Sequence, residues 1–215
     1  MPKEHANTSR KLSPAEAKRQ QHFVEYCNAL LSQGYEQETI TMSISEANKL
    51  AFILGIPIIV VLAIPFFLVN QSGFFSTSFV EILLLFVLVL VLVVVHELIH
   101  GITWACFAKK HFKAISFGVM KEYFTPYCTC NDALTRSQYL ISALAPTIVL
   151  GILPCIVAIA IGSAPLFALG AIMILAGGGD LAICRKLLGY KQANGTIYLD
   201  HPTECGLVAF TKPIG

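Results

Sequence analysis

The stretch Phe79 to Ala108 reads FVEILLLFVLVLVLVVVHELIHGITWACFA, and its reading decides the fold class. From Val80 to Val95 the only charged residue is Glu81. A helix crosses a hydrocarbon core of roughly 30 Å in about 20 residues, so this run is long enough to span a bilayer and continue past it. Its second half then departs from plain apolarity with His96, Glu97 and His100. A charged carboxylate near mid-span costs at least about 2.5 kcal/mol on insertion scales, so an ionisable group retained there faces a cavity or a partner.

Working outward, the remaining apolar stretches of spanning length are Leu50 to Val69, Tyr139 to Ile161 and Pro165 to Leu188. With 55% hydrophobic and 13% charged residues, the 215-residue chain is too apolar for an ordinary globular surface. The fold class expected is therefore mainly α: a polytopic membrane protein with four transmembrane helices, spans 50–69, 79–108, 139–161 and 165–188. A cytoplasmic segment 1–49 precedes this 50–188 membrane domain, and a cytoplasmic tail, 189–215, follows it. The net charge is +2 and no basic patch with interleaved aromatics stands out, which excludes nucleic acid as a partner and leaves membrane lipid. The first forty-nine residues lack the apolar core and small-residue cleavage site of a secretory signal, so the first span is expected to be retained.

The connections differ in charge. The segment Gln71 to Ser78 and the turn Gly162, Ser163, Ala164 carry none, whereas Lys and Arg crowd the segments before Leu50, between Lys109 and Arg136, and from Arg185 onward. The positive-inside rule then places both termini and the middle loop in the cytoplasm, here taken as that of a bacterial cytoplasmic membrane. Seven cysteines, an odd number with none in an outer loop, suit a reducing compartment.

The cytoplasmic segments carry elements of their own. Ser13, Pro14 and Glu16 open a capping box, and Phe23, Tyr26, Cys27, Leu30 and Leu31 follow at helical spacing, predicting an amphipathic helix over 14–33 that lies on the membrane or on the protein. Alternation predicts a strand over 39–44 and a hairpin in loop 109–138 from 114–120 and 126–130. Further strands are predicted at 196–199 and 207–210, after a turn at Asn194 and Gly195.

His96 and His100 are four apart, so on a helix both imidazoles reach a single ion. Neutral imidazole suits Zn2+, and the adjacent Glu97 is placed to take a proton from metal-bound water, which makes it the candidate catalytic residue. Two histidines leave zinc one protein ligand short, and Asp180, after Gly177, Gly178 and Gly179, is the only other acidic residue inside an apolar stretch. Its bland alternative is an ion pair with Arg185 or Lys186. His100 lies nine residues before Lys109 and Asp180 five before Arg185, so the two helices need a tilt or a break to bring the groups level. Cys128 and Cys130, two apart on one strand face, could also bind metal, while His5, His22, His111 and His201 lack paired ligand spacing.

HELIHG within a span, and GGGDL in a later one, resemble the site-2 protease family of intramembrane zinc metalloproteases. More closely, from about Ile40 to Phe210, the chain resembles the family described as putative zincin peptidases, including Tyr127 to Cys130 and the Asp200-His201-Pro202 turn. The resemblance implies His96, His100 and Asp180 as zinc ligands, Glu97 as base, and strands near the membrane that present an unwound membrane-protein or peptide substrate. Ile115 to Met120 resembles the strand region that follows the site-2 motif, and Ala145-Pro146 its small-residue and proline element. Val149 stands where those enzymes carry an asparagine, and Leu181 where they carry a glycine. The expected function is a membrane-embedded zinc metalloprotease. The alternatives are a zinc-binding scaffold or sensor built on Cys128, Cys130 and His201, and, weakest, a transporter. Oligomeric state is not encoded in any of these features.

Overall fold

The structure is a computed structural model and describes residues 14–70, 78–120 and 125–213. Ser13 of the expected cap, His5 and most of the 71–78 connection lie outside the described residues. In chain order the elements are α1 (Pro14–Ser32), β1 (Glu36–Met42), α2 (Ile44–Val69), α3 (Phe79–Phe107), β2 (Ile115–Met120), β3 (Thr125–Cys130), α4 (Arg136–Pro146), a π turn (Thr147–Ile152), α5 (Leu153–Ile161), α6 (Ala164–Ala176), α7 (Gly178–Gly189), β4 (Ile197–Asp200) and β5 (Cys205–Thr211).

Among the described residues three helical segments are long and apolar enough to cross a membrane: Ile44–Val69, Phe79–Phe107 and Arg136–Ile161. A fourth results if α6 and α7, bent by 49° at their junction, count as one span. Their outward faces are apolar and uncovered, as at Val61, Leu68, Phe79 and Leu84, which is what a lipid solvent requires. Two boundaries differ from the sequence expectation for a common reason. Ser43 caps α2 by accepting from the Glu46 N–H, so the first span starts at Ile44 rather than Leu50, and the strand expected at 39–44 runs instead from Glu36 to Met42. Thr135 and Gln138 likewise form a capping box that starts the third span at Arg136 rather than Tyr139.

The third span is not one regular helix. Pro154 has no N–H to give the preceding turn, and the backbone widens into the π turn just before it. One extra residue per turn moves the buried face back by one position, so burial steps from Tyr139, Ala143 and Pro146 to Gly151, Cys155 and Ala158. Gly162 at φ 71° ends α5, and Ser163 caps α6 through the Leu166 N–H. The fourth span, expected as a continuous 165–188, breaks at Gly177.

All the strands gather at one end of the helices. β1, β5 and β4 form an antiparallel sheet in that order, with Glu36 opposite Thr211 and Ile197 opposite Phe210. β5 is central and buried on both faces: Leu207 and Ala209 join Trp104, Tyr139 and Leu187 from the spans, while Val208 and Phe210 meet Cys27 and Leu30 of α1. The apolar stripe of α1 therefore covers the sheet, with Phe23 and Tyr26 beside it, although Leu31 faces outward. β2 and β3 pair antiparallel, Phe117 opposite Cys128, and lie against α3. A bridge from Leu134 to Tyr198 ties this pair's exit to the sheet.

Candidate metal centre

α3 carries His96 and His100 on its buried face, one turn apart, with ring centroids 4.8 Å from each other. His100 Nδ1 is 3.0 Å from the Ser142 carbonyl of α4, so that nitrogen carries the proton and donates, leaving Nε2 with a free lone pair. The His100 ring also stacks on Trp104 one turn further on, at 5.0 Å, which fixes its plane.

Asp180 arrives from the other side. The break at Gly177 turns α7 so that Asp180 sits in its first turn, and the carboxylate meets both imidazoles. Asp180 Oδ2 lies 3.0 Å from His96 Nε2 and 3.3 Å from His100 Nε2, and the two Nε2 atoms are 3.2 Å apart. Of the tilt or break that the sequence asks for, the break is present, at Gly177 just before Asp180. The ion pair with Arg185 or Lys186 is not how Asp180 is used: Lys186 pairs with Glu46 at 2.9 Å and donates to the Thr41 carbonyl.

Three ligand atoms at mutual distances of 3.0 to 3.3 Å form a nearly equilateral triangle. Zinc bonds of about 2.0–2.1 Å in tetrahedral geometry put neighbouring ligands about 3.3 Å apart, so the triangle fits one zinc ion with a fourth corner left for water or substrate. The donor set fits as well, two imidazole nitrogens and a carboxylate with no soft thiolate. Among the described residues, this is the one group of three or more His, Cys, Asp or Glu side chains placed to hold an ion.

Glu97 follows His96 and is half-buried, directed toward β3, where the Cys128 backbone N–H faces its carboxylate. Gly101, one residue past His100, lets the strands come close: a Cβ there would lie 2.3 Å from Phe117 Cζ. The apolar edge of the β2–β3 pair thus touches α3 at the level of the histidines.

The thiol site does not form. Cys128 and Cys130 are buried in the core between spans and sheet. Burial pushes the Cys128 thiol far up and the Cys130 thiol to about 12, so both are protonated near neutral pH and poorly nucleophilic. His201 points elsewhere, its Nδ1 accepting from the Thr203 and Glu204 N–H groups and its ring lying on Phe23. His111 Nδ1 is 3.0 Å from the Ala105 carbonyl, and the residue sits at φ 49°. Sequence reasoning gave no site role to Ser142, Trp104, Thr147 or Asp200. Trp104 carries a usable signal, since it stands four residues after His100; Ser142 acts through its backbone and carries none.

Residues 89–194 match the family model described as "Putative zincin peptidase". That stretch, a little under half of the chain, is similar to this zincin peptidase family. It contains both histidines, Glu97 and Asp180. No curated protein and no solved structure matches the chain. The zincin family implies zinc, and the His96, His100 and Asp180 cluster could hold a metal ion.

Proposed function

We propose that the chain is a membrane-embedded zinc metallopeptidase that hydrolyses peptide bonds at or just within the cytoplasmic side of the membrane, as the site-2 protease family does. The observation that carries this reading is the triangle of His96, His100 and Asp180 ligand atoms with Glu97 beside it. The gathering of α1, both strand groups and the ends of the spans at one end of the molecule supports a common side for the three Lys- and Arg-rich segments, and the positive-inside rule makes that side cytoplasmic.

His96 Nε2, His100 Nε2 and Asp180 Oδ2 would hold the zinc, and His100 is kept in the correct tautomer by the Ser142 carbonyl. When bound, zinc supplies Lewis acidity, making a water acidic near pH 7 and polarising a carbonyl. Glu97 takes the proton from the attacking water on its carboxylate and passes it to the leaving amine nitrogen. The strand edge beside it orients the peptide. Asn131 N–H donates to the Ala114 carbonyl, so by antiparallel alternation Thr129 and Tyr127 also face β2, and the backbone groups of Pro126, Cys128 and Cys130 face away from it. Proline has no N–H, and the Cys130 N–H is taken by Asp200 Oδ2 at 2.8 Å. Of the three, Cys128 turns its N–H to the Glu97 carboxylate and offers its carbonyl at that level, and an extended substrate adds there.

Glu97→Gln tests the reading. The variant keeps its zinc and loses turnover by about 10²-fold or more in an assay of detergent-purified protein against membrane-peptide substrates. A non-catalytic zinc scaffold would keep both its metal and its cellular function in the same variant.

A further inference from the structure

Each zinc-binding histidine needs an acceptor for its second ring nitrogen, because that bond sets the tautomer and the ring orientation. His100 has one in the Ser142 carbonyl. His96 does not: its Nε2 points into the triangle, so Nδ1 carries the proton, and Nδ1 is buried with no hydrogen-bond partner among the described residues. Trp104 Nε1, Arg19 Nε and Arg136 Nε are buried and unpartnered too, but they are donors, as the His96 Nδ1–H is. The unpartnered buried atoms able to accept are two hydroxyls, those of Ser142 and Thr147.

Thr147 is the one on the His96 side. It is fully buried at the start of the π turn, where the third span widens against α3 and α6. Gly177 measures the space between them: a Cβ on that glycine would lie 2.2 Å from Thr147 Oγ1 and 3.4 Å from His96 Cε1. The break in the fourth span thus has a second effect beyond delivering Asp180, since its glycine leaves the gap between hydroxyl and imidazole open. We propose that Thr147 is a positioning residue for the candidate metal centre: its Oγ1 accepts the proton of His96 Nδ1 through one bridging water and holds Nε2 on the zinc. The inference rests on the zinc-site reading and deepens it.

Zinc affinity of the detergent-purified full chain tests it, by competition with a chromophoric chelator. Thr147→Val, which keeps the shape and removes the acceptor, weakens zinc binding about 10- to 100-fold, and Thr147→Ser restores it to within a few-fold. Should Thr147→Val fail to fold, Thr147→Ala against Thr147→Ser makes the same comparison. Wild-type affinity in Thr147→Val, or a serine variant as weak as the valine one, overturns the inference while leaving the zinc site standing. A folded wild type that takes no zinc overturns the inference and the metallopeptidase reading together.

Discussion

Asp200 does at the end of the spans what Asp180 does within them: one carboxylate accepts from two groups and ties its own element to others. It accepts from the Tyr139 hydroxyl at 2.6 Å and the Cys130 N–H at 2.8 Å, joining α4 and β3 to the end of β4. Burial pushes its carboxyl above the ordinary carboxylate range in spite of both bonds. Removing it leaves a phenol and an amide buried without a partner, each costing about 1–3 kcal/mol. Asp200→Ala should lower the melting temperature sharply, and Asp200→Asn, which retains an acceptor, should lower it less; equal melting of Asp200→Ala and wild type would show that the bonds contribute nothing. At this scale, what was readable in the sequence depended on locality. His96 and His100 declare themselves because a four-residue spacing on a helix is enough to bring two rings together. Asp180 does so because acid within an apolar run is costly. Thr147 and Asp200 could not be assigned, since their partners lie on other elements and hydroxyls and interfacial acids are common.

Among the elements, irregular places shape the site more than regular ones do. The π turn and the 49° bend at Gly177 bring Thr147, His96 and Asp180 to one level. The three glycines announce a loosening in the sequence, but not its direction, which follows from the contact of Gly178 with Ala51 on α2: a Cβ at Gly178 would lie 2.2 Å from the Ala51 Cβ. The strands were readable from alternation, yet the end of β1 was set by the cap at Ser43, which competes for the same residues. The sheet depends on a glycine as well. Gly206 has φ 145°, and a Cβ there would come within 2.3 Å of the Ile40 carbonyl oxygen, a backbone atom that cannot swing away. Gly206→Ala should therefore destabilise the β1–β5 pairing by at least about 1–3 kcal/mol and speed amide exchange in β1, while zinc content stays at the wild-type level. Unchanged exchange would mean the sheet tolerates the strain.

For the whole molecule, apolar length was enough to read three spanning helices and the bent pair that makes a fourth candidate. The way the polar segments assemble was not readable, because β1 and β5 lie at opposite ends of the chain and nothing local links them. That assembly seals the end of the metal centre: Trp104 and Tyr139 form one core with Leu207 and Ala209 of the central strand, so sheet and site share their packing. Metal content should be measured on folded, detergent-purified wild type and on His96→Ala, His100→Ala and Asp180→Ala, each after exposure to zinc. About one zinc per chain in wild type and its loss in all three variants is the predicted result. A folded wild type that binds none would contradict it and leave His96, His100 and Asp180 as a buried hydrogen-bonded cluster.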